Sequence, residues 1–137
     1  MANTLKLEII TPEEKTFSEE VDFVTLPGVE GEMGIYPNHI PLMTQVEHGE
    51  IAVKQGNKEF FLAIGEGFAK ITGDNVSILT DMAVNSDAID EAAAEEARKQ
   101  AEARLSEKLS DEETAAVQAA LANSLAQLHV KRRRHPR

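Results

Sequence analysis

At 137 residues, with 24 acidic and 14 basic side chains and a net charge of −10, the chain suits one ordinary domain or a small domain with an appendage. The absence of cysteine removes disulfides, thiol nucleophiles and thiolate metal sites, and four scattered histidines make a poor metal set, so no metal centre is expected. No run approaches the roughly 18 apolar residues of a membrane span, and the N-terminus lacks the basic and apolar blocks of a signal peptide, so a cytosolic or equivalent compartment is expected.

The charge is unevenly placed: net −9 over residues 1–84, −6 over 85–130 and +5 over the last seven. The acidic body repels nucleic acid and anionic lipid, whereas Lys131, Arg132, Arg133, Arg134 and Arg137 form either a solvated tail or an end that seeks an acidic surface.

From Thr4 to Ile10, Leu5, Leu7 and Ile9 alternate with Lys6 and Glu8, the pattern of a half-buried strand that Pro12 ends. Phe17 and Val21 to Leu26 give two more short strands, closed by Pro27-Gly28. The stretch from Gly31 to Leu42 combines two glycines with two prolines around Asn38 and His39, which predicts a stiff, shaped loop. Such a loop, with Glu32, Asn38 and His39 between the apolar anchors Tyr36, Ile40 and Leu42, is either a binding element or a plain strand connection. Strands follow at Leu42–Val46, Ile51–Lys54, Glu59–Ile64, Phe68–Ile71 and Val76–Thr80, with turns at Gln55–Lys58 and Gly73–Asn75. No helix intervenes to make crossovers, so residues 1–84 read as one antiparallel β-sandwich or flattened barrel.

At Asn85 the composition changes. Asp87 is the expected N-cap of a first helix reaching about Leu105, striped by Ile89, Ala93, Ala97, Ala101 and Leu105. Ser110 and Glu113 form a capping box that opens a second helix, with Val117, Leu121, Leu125 and Leu128 on one face flanked by Ala116 and Ala120. Residues 85–137 are therefore expected as an antiparallel helical hairpin. Its alanine-rich seam buries little area, so the hairpin is either a switch that a ligand or partner opens, from roughly 30 Å to a rod of about 60 Å, or a permanently folded unit.

Motifs for catalysis are missing: no G-x-S-x-G elbow, no phosphate-binding G-x-x-x-x-G-K-[ST], no H-E-x-x-H. Gly65-Glu66-Gly67 is too short to cradle phosphate and reads as a turn or bulge, and Asp81, Asp87 and Asp90 share only proximity in sequence.

The run Gly31-Glu32-Met33-Gly34-Ile35-Tyr36-Pro37-Asn38-His39-Ile40-Pro41-Leu42, then Gly65-Glu66-Gly67-Phe68-Ala69-Lys70-Ile71, then Asn75 to Ala83, all before two helices, closely resembles the epsilon subunit of F-type ATP synthases. The resemblance implies a noncatalytic rotor subunit whose β-sandwich docks on the gamma subunit and the ring of c subunits, so that proton flow turns the shaft. Positions matching Glu32 and His39 lie where that family meets the ring, and Tyr36 and Asn38 belong to the same expected interface. It also implies a hairpin that extends into the alpha/beta catalytic head and inhibits ATP hydrolysis, with Lys131, Arg132, Arg133 and Arg134 as the inhibitory cations. Some bacterial members bind ATP on the folded hairpin through an Ile/Leu-Asp-x-x-Arg-Ala motif; here Ile89-Asp90-Glu91-Ala92-Ala93-Ala94 puts alanine in place of the arginine. Ile89, Asp90, Arg98 and Arg104 are left as the candidate ATP contacts, and weak or absent binding is expected without that guanidinium. The implied location is the cytoplasmic face of a bacterial plasma membrane, or another energy-transducing membrane, as a peripheral subunit. Two other readings stay open, a nucleic-acid binder using the basic end and a small-ligand β-sandwich; a single tyrosine and no tryptophan count against base or sugar stacking.

Overall fold

The computed structural model describes residues 4–13 and 15–134. Among them ten strands, β1 (Leu5–Ile10), β2 (Lys15–Val21), β3 (Phe23–Gly28), β4 (Gly31–Ile35), β5 (His39–Val46), β6 (Gly49–Gln55), β7 (Lys58–Ile64), β8 (Gly67–Gly73), β9 (Asn75–Thr80) and β10 (Ala83–Asn85), precede a 3-10 turn (Ser86–Ala88) and two helices, α1 (Glu91–Leu105) and α2 (Asp111–Arg134).

The strands join in the order β10-β7-β6-β3-β5-β8-β9-β1-β2, with β4 paired to β3 off that path. Alternation decides which side chains enter the core: Leu5, Leu7 and Ile9 of β1, Val24 and Leu26 of β3, Ile51 and Val53 of β6, and Val76 and Ile78 of β9 are all fully buried. The sheet curls until its edge meets its interior. Gln55 Nε2 donates to Glu20 O at 2.7 Å, Gly56 N–H donates to Asp22 Oδ2 at 2.7 Å, and the rings of Phe17 and Phe60 sit 5.5 Å apart across the gap. The pairings are antiparallel except β1 with β9, which run parallel from Lys6↔Asn75 to Ile10↔Leu79, a departure from the all-antiparallel expectation. No hairpin links these two strands, so their direction is set by packing rather than by a turn.

The segment expected as a stiff loop is two strands around a short turn at Tyr36–Asn38. Gly34 is tolerated inside β4 because the Phe23 ring lies over it; a Cβ there would come 2.8 Å from Phe23 Cζ. Pro41 is tolerated inside β5 because the register with β8 shifts between His39 and Leu42, an irregularity that spares the proline a ladder bond. Asn38 takes the turn's positive φ of 64°, which asparagine adopts more readily than most residues.

The helical part differs from expectation in three places. Asp90, not Asp87, caps α1, accepting from Ala93 N at 3.0 Å, while Asp87 sits in the 3-10 turn that Asn85 caps. The chain leaves helical geometry at Ile89 because that side chain is buried against Ala63 and Val130. On α1 the buried alanines are Ala94 and Ala101, with Ala93 and Ala97 exposed: a repeat of four drifts about 40° per step on a 3.6-residue helix and cannot keep to one face. On α2, Leu125 is 46% exposed and Ala116 and Ala120 face solvent, while Ser124, Ala126, Leu128 and Val130 are buried. This helix touches α1 and β7, with a lighter contact to β6, so its covered surface spans two directions rather than one stripe.

Candidate functional site

Two regions of the surface carry the residues singled out from the sequence. The first is built by two turns. The Asn38 N–H donates to Asp74 Oδ1 at 2.8 Å, and the Asp74 carbonyl accepts from Lys6 N at 2.7 Å, so the Tyr36–Asn38 turn is pinned to the β8–β9 turn, where Gly73 has φ +55°. His39 pairs with Gly73, and its Nδ1 lies 2.6 Å from Ile40 O. The Tyr36 ring stacks 4.3 Å from Phe23 yet stays 66% exposed.

Exposed Ile40 adjoins this turn, and further apolar surface that sequence reasoning left out lies along the strands that lead away from it: Met43 on β5, and Phe68 and Leu79, direct partners on β8 and β9, five residues or more from the Gly73–Asp74 turn. Period-two alternation was the available signal: with Ala69 and Ile71 inward, Phe68 has to point outward. A rigid turn carrying exposed Tyr36 and Ile40, with more exposed apolar side chains along β5, β8 and β9, provides shape and apolar area for a protein partner.

Glu32 does not join that cluster. It pairs with Pro27 at the other end of β4 and lines a groove of about 400 Å³ together with His48, Glu50, Glu59, His129 and Arg133. The expected interface residues thus divide into Tyr36, Asn38 and His39 beyond one end of β4 and Glu32 near the other.

The second region is the end of α2. Lys131 Nζ donates to the carbonyl of buried Ser86 at 3.3 Å, Arg132 donates to Glu91 Oε1 at 2.8 Å and Glu95 Oε2 at 2.9 Å, and Arg133 Nη1 stands 3.9 Å from Glu50 Oε1. Glu95 also pairs with Arg98, which bonds Glu102 at 2.7 Å. The Glu95 carboxyl is held below its ordinary value, first by the Arg98 hydrogen bond and then by that of Arg132. Arg134 ends α2, and Arg137 lies outside the described residues.

The candidate ATP contacts are dispersed. Ile89 is buried, Asp90 is occupied as a cap, Arg98 is paired with glutamates, and Arg104 lies about 21 Å along α1 from Asp90, beside Glu107 at 4.0 Å and Glu113 at 3.6 Å. Among the described residues no three His, Cys, Asp or Glu side chains are placed to hold a metal ion. Gly65 and Gly67 are structural. A Cβ at the first would strike Asp81 Oδ1 at 1.8 Å, and at the second Leu79 O at 1.8 Å.

Comparison with known proteins gives one consistent outcome. Residues 4–86 match the family model of the ATP synthase delta/epsilon chain, beta-sandwich domain, and residues 87–132 that of the long alpha-helix domain of the same chain. The ATP synthase epsilon chain of Dehalococcoides mccartyi is 45% identical over 135 residues, 96% of each chain, and that of Laribacter hongkongensis is 37% identical over 139 residues, 97% of this chain and 99% of the other. A chain in the Euglena gracilis mitochondrial ATP synthase assembly of OSCP, F1 and c-ring superposes with a TM-score of 0.71 at 25% identity, over 90% of this chain and 78% of that one. A chain of the Tetrahymena thermophila mitochondrial ATP synthase central stalk and c-ring shares the fold, with a TM-score of 0.56 at 10% identity over 94% and 97%.

Proposed function

The chain belongs to the ATP synthase delta/epsilon family, and on that premise we propose that it is a noncatalytic central-stalk subunit that couples rotation of the c-ring to the gamma shaft and restrains ATP hydrolysis through its helical hairpin. The β body is the docking part. Tyr36, Asn38 and His39, on a turn fixed by Asp74 and followed by exposed Ile40, form one contact surface, Glu32 in its groove forms another, and His39 and Glu32 are the residues that meet the ring. Contacts set apart along one rigid sheet suit a subunit that ties two neighbours together.

The hairpin is the regulatory part, with Lys131, Arg132, Arg133 and Arg134 meeting acidic segments of the alpha/beta head when it extends. ATP plays a minor part in holding the hairpin closed, since Ala93 supplies no guanidinium and Arg98 and Arg132 are engaged by glutamates. The subunit sits peripherally at the cytoplasmic face of the membrane, held through the complex.

The carrying observation is the pinned turn with Tyr36 and Ile40 exposed on it, continued by exposed Phe68 further along β8. Co-purification with a gamma subunit and c-ring tests it: Tyr36→Ala combined with Phe68→Glu is expected to abolish retention while the chain stays folded, and unchanged retention would remove this surface from the interface. Truncation after Ser86, assayed in the assembled enzyme, is expected to leave coupling intact and raise ATP hydrolysis.

A further inference from the structure

The chain has no cysteine, so a two-electron oxidant of sulfur meets it at the thioethers of its four methionines. Attack requires access, and access differs among them. Met33 is half-buried against the main core, and Met82 is half-buried against the cluster of Ala63, Ile89 and Val130. Met43 is 66% exposed. Met1 lies outside the described residues.

Strand register fixes what Met43 stands among. On β5 Thr44 pairs with buried Ala69, so Met43 and its direct partner Lys70 turn to the opposite, outer face of the sheet. Phe68, two residues before Lys70, shares that face, and Leu79 pairs with it from β9. Directly opposite side chains stand about 5 Å apart at Cβ and diagonal ones about 7–8 Å, so the thioether is within reach of both the Lys70 ammonium and the Phe68 ring.

As a thioether, Met43 extends the exposed apolar surface of Phe68 and Leu79. As a sulfoxide, it sets a polar acceptor on that surface, and Lys70 offers the donor that holds it there. The two oxidation states therefore present different surfaces from one backbone.

We propose that Met43 is an oxidation site that makes docking of the β body redox-dependent, with a hydroperoxide as the oxidant. The Met43 Sδ takes one oxygen atom: the O–O bond breaks, an S–O bond forms, the sulfur loses two electrons and hydrogen peroxide is reduced to water. A dithiol-dependent sulfoxide reductase reverses the step, the oxygen leaving as water while the dithiol becomes a disulfide. A neighbouring subunit seated on this face covers Met43, so the free chain is the form that oxidises, and an oxidised chain docks less tightly. This rests on the proposed docking role of the sheet's outer face.

Hydrogen peroxide applied to the native full-length chain, with products mapped by peptide mass spectrometry, is expected to convert Met43 ahead of Met33 and Met82. With peroxide removed before binding, the oxidised chain is expected to bind the gamma subunit and c-ring about tenfold more weakly, the scale of withdrawing one methionine side chain from an apolar contact. Reductase treatment is expected to restore the affinity. Met43→Leu is expected to bind equally with and without prior peroxide. Conversion of Met43 no faster than that of Met33, unchanged affinity of chain oxidised at Met43, or a peroxide-induced loss that persists in Met43→Leu would each overturn the inference alone. Untreated native chain that fails to bind would instead sink the docking role itself, together with the redox control built on it.

Discussion

The β body and the helical arm are held by different physics. In the body, branched and aliphatic side chains such as Leu7, Leu26, Ile51, Ile71 and Ile78 are completely removed from water and meet in one core. In the arm, the buried seam between the helices offers Ala94, Ala101 and Val117, and the end of α2 is fixed by Val130 in a small satellite cluster and by ion pairs at the surface. A core of large side chains resists any opening short of unfolding, because every contact is shared by several strands. A seam of small side chains with exposed charges opens locally, and salt or a competing acid changes its balance.

That contrast is broken most severely from inside the body. Ile71→Ala is expected to cost about 2–5 kcal/mol in a urea melt, with body and arm signals lost together. Next, Val130→Ala removes roughly two methylene equivalents, about 2 kcal/mol, from the contact with Ala63 and Ile89. Hydrogen exchange should then rise in the last turns of α2 while β1 and β9 keep their protection; a uniform rise would show that arm and body unfold as one unit. Ser110→Ala deletes the capping box, where Ser110 Oγ accepts from Glu113 N at 3.2 Å and Glu113 Oε1 accepts from Ser110 N at 3.3 Å. A loss of about 1 kcal/mol, seen as fraying at the start of α2, is expected with no change in the body.

The smallest effect separates the two regions by pH. Glu95 is held below its ordinary value of 4.5 chiefly by the Arg98 hydrogen bond, and Glu113 below the same value chiefly by the Ser110 side chain. A carboxylate whose folded value is depressed contributes fully above its unfolded value and loses that contribution as the pH falls through the folded one. Both therefore support the arm fully above pH 4.5 and lose that support progressively as the pH falls below it through their lower folded values. The separation of a dye pair on cysteines replacing exposed Lys58 and Glu112, followed from pH 6 to 3, should show the arm loosening before the sheet; simultaneous loss would contradict the division.

Much of the body was legible in the sequence because alternation and turn residues act locally: Leu5, Leu7 and Ile9 point inward as read, and Gly56 turns the hairpin with φ +60°. Pairings between distant strands were not. The parallel partnership of β1 with β9 depends on residues far away in the chain, and the ring of Phe23 that makes Gly34 acceptable depends on the register of the paired strand β3. In the arm, the capping box was readable, whereas Asp90 replaced Asp87 as a cap because buried Ile89 interrupts the helix. Of the candidate site, the Tyr36–His39 turn stood out by composition, but the separation of Glu32 from it follows from the length of β4. The partners of the basic end, Glu50, Glu91 and Glu95, carry no local signature, since they are defined only by where α2 comes to rest.

The parallel register of Lys6 with Asn75 also sets an order of events during synthesis. Strand β1 finds its partner β9 only after some seventy further residues have been made, a long loop to close and a slow step. Everything it waits for precedes the helices in the chain. Every strand of the body is therefore made before α2, so the arm has its whole docking surface synthesised ahead of it.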